Sequence, residues 1–241
     1  MRVQLRVRRF NPETDKKPWW AEYALDEVGK MDSVLDVLHR VKWTIDGTLA
    51  LRRSCAHGVC GSDTMRINGA NSLACKTLVG RLADGDADVV KIQVEPMMGL
   101  PVLKDLIVDM EPFFEHYRSV MPYYVNDGPL PADGRERLQS PDDRARFDDT
   151  TKCILCACCT TGCPSFWANG RFIGPAAIVQ AHRFIFDSRD EAYAERLEVV
   201  GDSFGVWRCR TIFNCTNACP REIQVTKAIA EVKHALTSGN V

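Results

Sequence analysis

Cys153-Ile154-Leu155-Cys156-Ala157-Cys158-Cys159-Thr160-Thr161-Gly162-Cys163-Pro164 is the stretch that decides how this chain reads. Its Cys-x2-Cys-x2-Cys-x3-Cys-Pro spacing is the run that wraps a loop around an iron–sulfur cube, and soft thiolates suit iron in such clusters. In a run of this kind the first three cysteines hold one cluster and the fourth serves another. A second run must therefore supply the missing ligands. The same template placed on Cys209 asks for cysteines at 209, 212, 215 and 219 followed by proline. The chain supplies Cys209, Cys215, Cys219 and Pro220, with Ile212 at the remaining place. By crossover, Cys153, Cys156, Cys159 and Cys219 make a complete [4Fe–4S] ligand set. Cys163, Cys209 and Cys215 face an isoleucine at the fourth corner, which predicts a [3Fe–4S] cluster. Cys158 is left over and reads as a buried thiol packing as a small hydrophobe. Structural zinc also uses Cys-x2-Cys pairs, but not a third cysteine at x2 and a fourth at x3 before proline.

Three more cysteines lie upstream. Cys55-x4-Cys60-x2-Asp63-x11-Cys75 follows the plant-type [2Fe–2S] spacing, with Asp63 in the place of the third cysteine. A carboxylate is a harder ligand than a thiolate but can bind iron. Against ligation stands the reading that Asp63 caps the loop while another group completes the site. Gly58 and Gly61 let the backbone bend close to a cluster, where its N–H groups can donate to sulfur. Cys55-Ala56-His57 with Cys60 is also half of a Rieske-type pattern, but Cys75-Lys76-Thr77-Leu78 lacks the second histidine. His57 then reads as a loop residue. No phosphate loop, flavin fingerprint or nucleophile–base set is present, which points to a chain that moves electrons without making substrate bonds.

Around these runs the composition is ordinary. The chain has 241 residues, 45% hydrophobic and 26% charged, with a net charge of −1. That composition fits one or two globular domains, and the balance gives no case for nucleic-acid binding. Eleven cysteines in 241 residues are too few for a disulfide scaffold, which needs roughly 8–10%. No stretch reaches the ~18 apolar residues that a membrane span needs. The N-terminal Met1 to Arg9 alternates apolar and basic residues, unlike a secretion signal.

The N-terminal part reads as α/β. Val3, Leu5 and Val7 predict a half-buried strand, and Trp20 to Leu25 a hairpin partner. Asp32 or Ser33 can cap a helix carrying Val34, Leu35, Val37, Leu38 and Val41 on one face. Val89, Val90, Ile92 and Val94 predict a later strand, so a small mixed sheet packed on one helix is expected. A short helix is expected near Pro112. Residues 131–150 hold ten charged side chains and two prolines, which reads as a solvated connection. Beyond 151 the pattern is helical, with Pro175 opening one helix and Ala228, Ile229, Val232 and Leu236 marking the face of the last. Apart from the cysteine runs, no internal repeat is visible.

With these residues in hand, the chain resembles the succinate dehydrogenase (respiratory complex II) iron–sulfur subunit family nearly end to end. The motifs are Ser54-Cys55-Ala56-His57-Gly58-Val59-Cys60-Gly61-Ser62-Asp63, Asn68-Gly69 with Leu73-Ala74-Cys75, the 153–159 run, Cys163-Pro164-Ser165-Phe166-Trp167, Phe172-Ile173-Gly174-Pro175-Ala176 and Asp187-Ser188-Arg189-Asp190. The resemblance implies an α+β chain. A β-grasp plant-type ferredoxin domain (1–110) and a connecting segment (111–150) would precede an α-helical bacterial-type ferredoxin domain (151–241). It implies electrons from succinate, taken from FAD in a partner flavoprotein and passed through [2Fe–2S], [4Fe–4S] and [3Fe–4S] centres to a membrane quinone. It also implies membrane-anchor subunits, with or without haem, and a peripheral position on the cytoplasmic face of a bacterial membrane. Ser165, Trp167, Arg210 and Ile212 would lie near the quinone, with Trp167 as plain core the competing reading. Two departures bear on that pocket. Ala168 stands where many relatives have a second tryptophan, and Arg210 where they carry histidine. The iron–sulfur subunit of a fumarate reductase shares the architecture and is the alternative reading.

Overall fold

The computed structural model describes residues 1–83, 85 and 88–241. The chain divides into two compact units. The first holds Met1–Met110 together with Ile154–Gly162; the second holds Glu111–Cys153 and Cys163–Val241.

In the first unit, β1 (Arg2–Arg9) pairs antiparallel with β2 (Trp19–Leu25). Alternation decides β1, since Val3, Leu5 and Val7 are buried while Arg2, Gln4 and Arg6 face solvent. Helix α1 (Val34–Thr44) starts at Ser33, whose hydroxyl accepts the Asp36 N–H while the Asp36 carboxylate accepts the Ser33 N–H. This reciprocal cap satisfies two otherwise orphaned donors, and of the two candidates the chain uses Ser33. The apolar stripe Val34, Leu35, Val37, Leu38 and Val41 is buried as expected. Strands β3 (Thr64–Ile67) and β4 (Ala70–Leu73) form a hairpin, and β5 (Val89–Glu95) lies parallel to β1 and antiparallel to β3. The order β2-β1-β5-β3-β4 makes a mixed sheet. Its inner face shares one apolar core with α1. The turn of the β3–β4 hairpin is Asn68-Gly69, both at positive φ, as a two-residue hairpin turn requires. A small pair, β6 (Val102–Lys104) and β7 (Ile107–Val108), follows.

The second unit opens with α2 (Glu111–Ser119), carrying Pro112 in its first turn, and α3 (Pro141–Asp148). Helix α3 corrects the reading of 131–150 as a connection throughout. Ser140 accepts the Asp143 N–H, Pro141 opens the first turn, and Asp142 and Asp143 sit where the helix dipole favours acids. Only Phe147 buries from this helix, so no apolar stripe announced it. Next in the chain comes α4 (Cys158–Thr161), which packs on β4 in the first unit. Helices α5 (Pro164–Ala168), α6 (Gly174–Ile185), α7 (Tyr193–Gly201), α8 (Asn214–Asn217) and α9 (Val225–Ser238) complete the second unit. Of its twelve residues α6 leaves only Arg183 unburied, because α2, α3, α7 and α9 all pack on it.

Arg196 on α7 is the largest fully buried side chain, and its charge is matched by the equally buried Asp190. The guanidinium also donates to the carbonyls of Met121 and Tyr123, while Asp190 accepts the Val125 N–H. One buried ion pair thereby pins the segment 121–125. Losing either partner would leave an uncompensated buried charge. Among the described residues no helix is long and apolar enough to cross a membrane.

Candidate metal centres

The first candidate centre is the loop before β3 and the end of β4. Cys55 Sγ accepts from the backbone N–H groups of His57, Val59 and Cys60 at 3.4, 3.4 and 3.3 Å. These donors hold the Cys55 thiol down to about 6, favouring the thiolate that ligates metal. Ala56 and Gly58 at positive φ curl the loop so that its N–H groups point inward. Cys60 Sγ lies 3.2 Å from the Ser62 hydroxyl. His57 is exposed, with its Nδ1 2.7 Å from the Cys55 carbonyl oxygen of its own loop, which fits its reading as a loop residue.

Asp63 is 2% exposed. Its Oδ2 accepts the Cys75 N–H at 2.6 Å, while its equally buried Oδ1 has no hydrogen-bond partner. Burial and the Asp63 carboxylate beside it push the Cys75 thiol up to about 12. A desolvated carboxylate oxygen without a donor is costly, and a bound cation would satisfy it. Capping and ligation are therefore compatible: one oxygen holds the backbone and the other is left open to a cation. The donor set of three thiols and this oxygen fits a [2Fe–2S] cluster. Gly61, at φ +69°, has a further role. A Cβ there would lie 2.5 Å from Cys156 Cβ and 2.8 Å from its Cα, so this glycine permits close packing of the 154–162 segment within the same unit.

The two later runs share one backbone course. The turn Asp149–Lys152 ends at Cys153 (φ −62°, ψ 126°), and the turn Val206–Arg208 ends at Cys209 (φ −68°, ψ 119°). Leu155 and Ala157 have φ of 55° and 63°; Thr211 and Phe213, at matching places, have 54° and 68°. Helices α4 and α8 follow, each with the residue after its last turn donating to the helix's first carbonyl. Left-handed backbone at four non-glycine residues costs on the order of 1 kcal/mol each. Left-handed residues recur in the backbone concavities that bind anions and iron–sulfur clusters. In this superposable course Ile212 occupies the place of Cys156.

Cys158, the thiol without a place in the spacing, is 0% exposed and reaches the Thr64 hydroxyl at 3.6 Å. Asn71 on β4 donates to the Cys158 carbonyl and to Thr161 Oγ1. Cys163, Cys209 and Cys215 line one cavity in the second unit, with Ser165, Arg210, Ile212 and Thr226 also on its wall. Burial raises the Cys215 thiol, and the nearby Cys163 and Cys209 thiolates raise it further, a repulsion that bound iron would relieve. Three converging thiols and no fourth donor at Ile212 fit a [3Fe–4S] cluster. Trp167 is not among the residues lining that cavity, and at 38% exposure it is not plain core. Among the described residues, no three His, Cys, Asp or Glu side chains are drawn together in a set that could hold a single metal ion.

Spacing alone could not reveal Ser62 and Thr226 beside the sulfurs, whereas the N–H fan on Cys55 is the donation to sulfur expected of this glycine-bearing loop. Ser62 lies two residues from Cys60, and Thr226 lies eleven from Cys215.

Comparisons with known proteins find iron–sulfur domains in both parts of the chain. Residues 4–115 match a family described as 2Fe-2S iron-sulfur cluster binding domain, and residues 145–220 match a 4Fe-4S dicluster domain. A succinate dehydrogenase iron-sulfur subunit from Coxiella burnetii is 47% identical over 231 residues, covering 94% of each chain. The chain belongs to the succinate dehydrogenase iron–sulfur subunit family. A Paracoccus denitrificans member is 44% identical, covering 95% of this chain and 88% of its own. Among solved structures, a chain of the "Mycobacterium smegmatis Sdh1 complex in the apo form" aligns at TM-score 0.83 and 27% identity, over 99% of this chain and 96% of that one. A hypothetical protein from Helicobacter pylori shares the fold at TM-score 0.61 and 15% identity, over 100% of this chain and 40% of its own. As a family member the chain is the iron–sulfur electron-transfer part of a multisubunit oxidoreductase. Its α+β class, a sheet unit followed by a helical one, is that of the family.

Proposed function

We propose that this subunit carries electrons from FAD in a partner flavoprotein to a membrane quinone, in the direction of succinate oxidation. Cys55, Cys60, Asp63 and Cys75 would hold a [2Fe–2S] cluster. Cys153, Cys156, Cys159 and Cys219 would hold a [4Fe–4S] cluster, and Cys163, Cys209 and Cys215 a [3Fe–4S] cluster. Iron–sulfur clusters, when bound, supply one-electron steps, which a chain without its own flavin or quinone chemistry needs. The residues supply the rest. The N–H groups of His57, Val59 and Cys60 stabilise negative charge on Cys55 Sγ. Apolar Ile212 withholds a fourth ligand from the third thiol set. Ser165, Arg210 and Ile212 share the cavity of that set, and with Trp167 they would border the quinone. Membrane-anchor subunits would hold the chain on the cytoplasmic face of a bacterial membrane.

What carries this reading is the cavity in which three thiols meet Ile212 in the place that Cys156 fills in the other run. The experiment is electron paramagnetic resonance with iron and sulfide analysis on the anaerobically purified complex. The expected result is a [3Fe–4S] signal in the oxidised protein that disappears when succinate is added. Zinc in place of iron, or clusters that succinate leaves oxidised while dithionite reduces them, would overturn it.

A further inference from the structure

The third thiol set carries one feature that neither its spacing nor the family's iron ligands account for. Thr226, the second residue of α9, is 8% exposed and borders the cavity lined by Cys163, Cys209 and Cys215. Its hydroxyl lies 3.7 Å from Cys215 Sγ and 2.8 Å from the Thr216 hydroxyl. The Thr216 oxygen in turn accepts the Thr226 backbone N–H at 3.0 Å.

The direction of each bond follows once Cys215 is a metal-bound thiolate, which can only accept. The Thr226 hydroxyl must then give its proton to sulfur. Its oxygen is left as acceptor and takes the Thr216 proton, and the Thr216 oxygen takes the Thr226 N–H. The chain N–H(226) to Oγ1(216), to Oγ1(226), to Sγ(215) leaves one arrangement of hydrogens. Bonds that run head to tail also strengthen one another. Burial keeps water from competing for the sulfur.

We infer that Thr226, oriented by Thr216, is a positioning residue that donates a hydrogen bond to the Cys215 sulfur and thereby raises the reduction potential of the [3Fe–4S] centre. The inference rests on the ligand assignment proposed above. A donor to sulfur stabilises the reduced centre more than the oxidised one, because reduction adds negative charge. Thr226 thus favours arrival of the electron at the last thiol set.

The test is an EPR-monitored redox titration of the [3Fe–4S] signal in the whole complex, with Thr226→Val, Thr226→Ser and Thr216→Val. Thr226→Val keeps the shape and removes the donor. It should make reduction about tenfold less favourable, a shift of about 59 mV to lower potential for one electron. Thr226→Ser should stay near the parent protein, and Thr216→Val should move the same way by less. A retained signal with unchanged potential in Thr226→Val would overturn the inference while leaving the cluster assignment intact. So would a Thr226→Ser shift as large as that of valine, since packing would then explain both. If Thr226→Val fails to load, Thr216→Val decides: a lowered potential supports the donor chain, and an unchanged one overturns it. Absence of the signal in the parent protein would remove the cluster assignment and the inference together.

Discussion

The runs 153–163 and 209–219 follow the same backbone course, yet one offers a cysteine where the other offers isoleucine. Both leave a short turn, pass two left-handed residues that flank the differing position, and enter a four-residue helix. On the proposed ligand assignment the loop does not choose the cluster; one side chain does. What surrounds that side chain also differs. Cys156 is packed against Gly61, whereas Ile212 is 49% exposed. The first run is locked into neighbouring structure, and the second keeps its corner accessible.

The largest expected effect comes from breaking that lock. Gly61→Ala places a methyl 2.5 Å from Cys156 Cβ at a backbone φ of +69°, and neither the cysteine's Cα nor the loop can give cheaply. A loss of roughly 2–4 kcal/mol is expected from overpacking and left-handed strain together. Thermal unfolding should show it, with loss of [4Fe–4S] signal at unchanged [3Fe–4S] signal. Equal loss of both would mean that the runs are not separately braced.

A smaller effect separates the turns that feed the two runs. The turn before Cys153 is tied through Thr150 to His182, 3.4 Å away, and His182 lies 2.8 Å from Glu231 on α9. The turn before Cys209 is held instead by Arg208 donating to the Ser203 carbonyl, and the Cys209 carbonyl accepts from Lys233. His182, and with it Arg146, holds the Glu231 carboxyl down to about 2. A carboxyl depressed in the folded state contributes stability above its usual value of 4.5, and that contribution is lost as pH falls through about 2. Its ceiling is roughly 3 kcal/mol, reduced by solvent screening at this partly exposed pair. Glu231→Gln should remove this part of the acid dependence between about pH 4.5 and 2 in urea unfolding. An acid profile identical to the parent's would show that Glu231 contributes none of it.

Which parts of this were readable from sequence follows from how far each signal reaches along the chain. Strand β1 and helix α1 announce themselves by period, while the choice of Ser33 over Asp32 as the cap comes from the structure. The cluster spacing is local too, which is why Ile212 stands out from the sequence alone. Helix α3 buries only Phe147, so it has no apolar stripe, and only its start signals, Ser140, Pro141 and the first-turn acids, mark it. The β3–β4 hairpin had a clue in Asn68-Gly69, but its strands are four residues each, too short for alternation to speak. Thr226 and the Gly61–Cys156 approach are products of tertiary packing, and no spacing rule reaches them.

Ile212→Cys asks most directly whether one side chain sets the cluster type. The readout is EPR of the anaerobically purified complex with an iron count. If the loops are equivalent, the oxidised [3Fe–4S] signal should vanish, one further iron per complex should bind, and a reduced-state [4Fe–4S] signal should take its place. An undiminished [3Fe–4S] signal with no added iron would contradict the equivalence of the two loops.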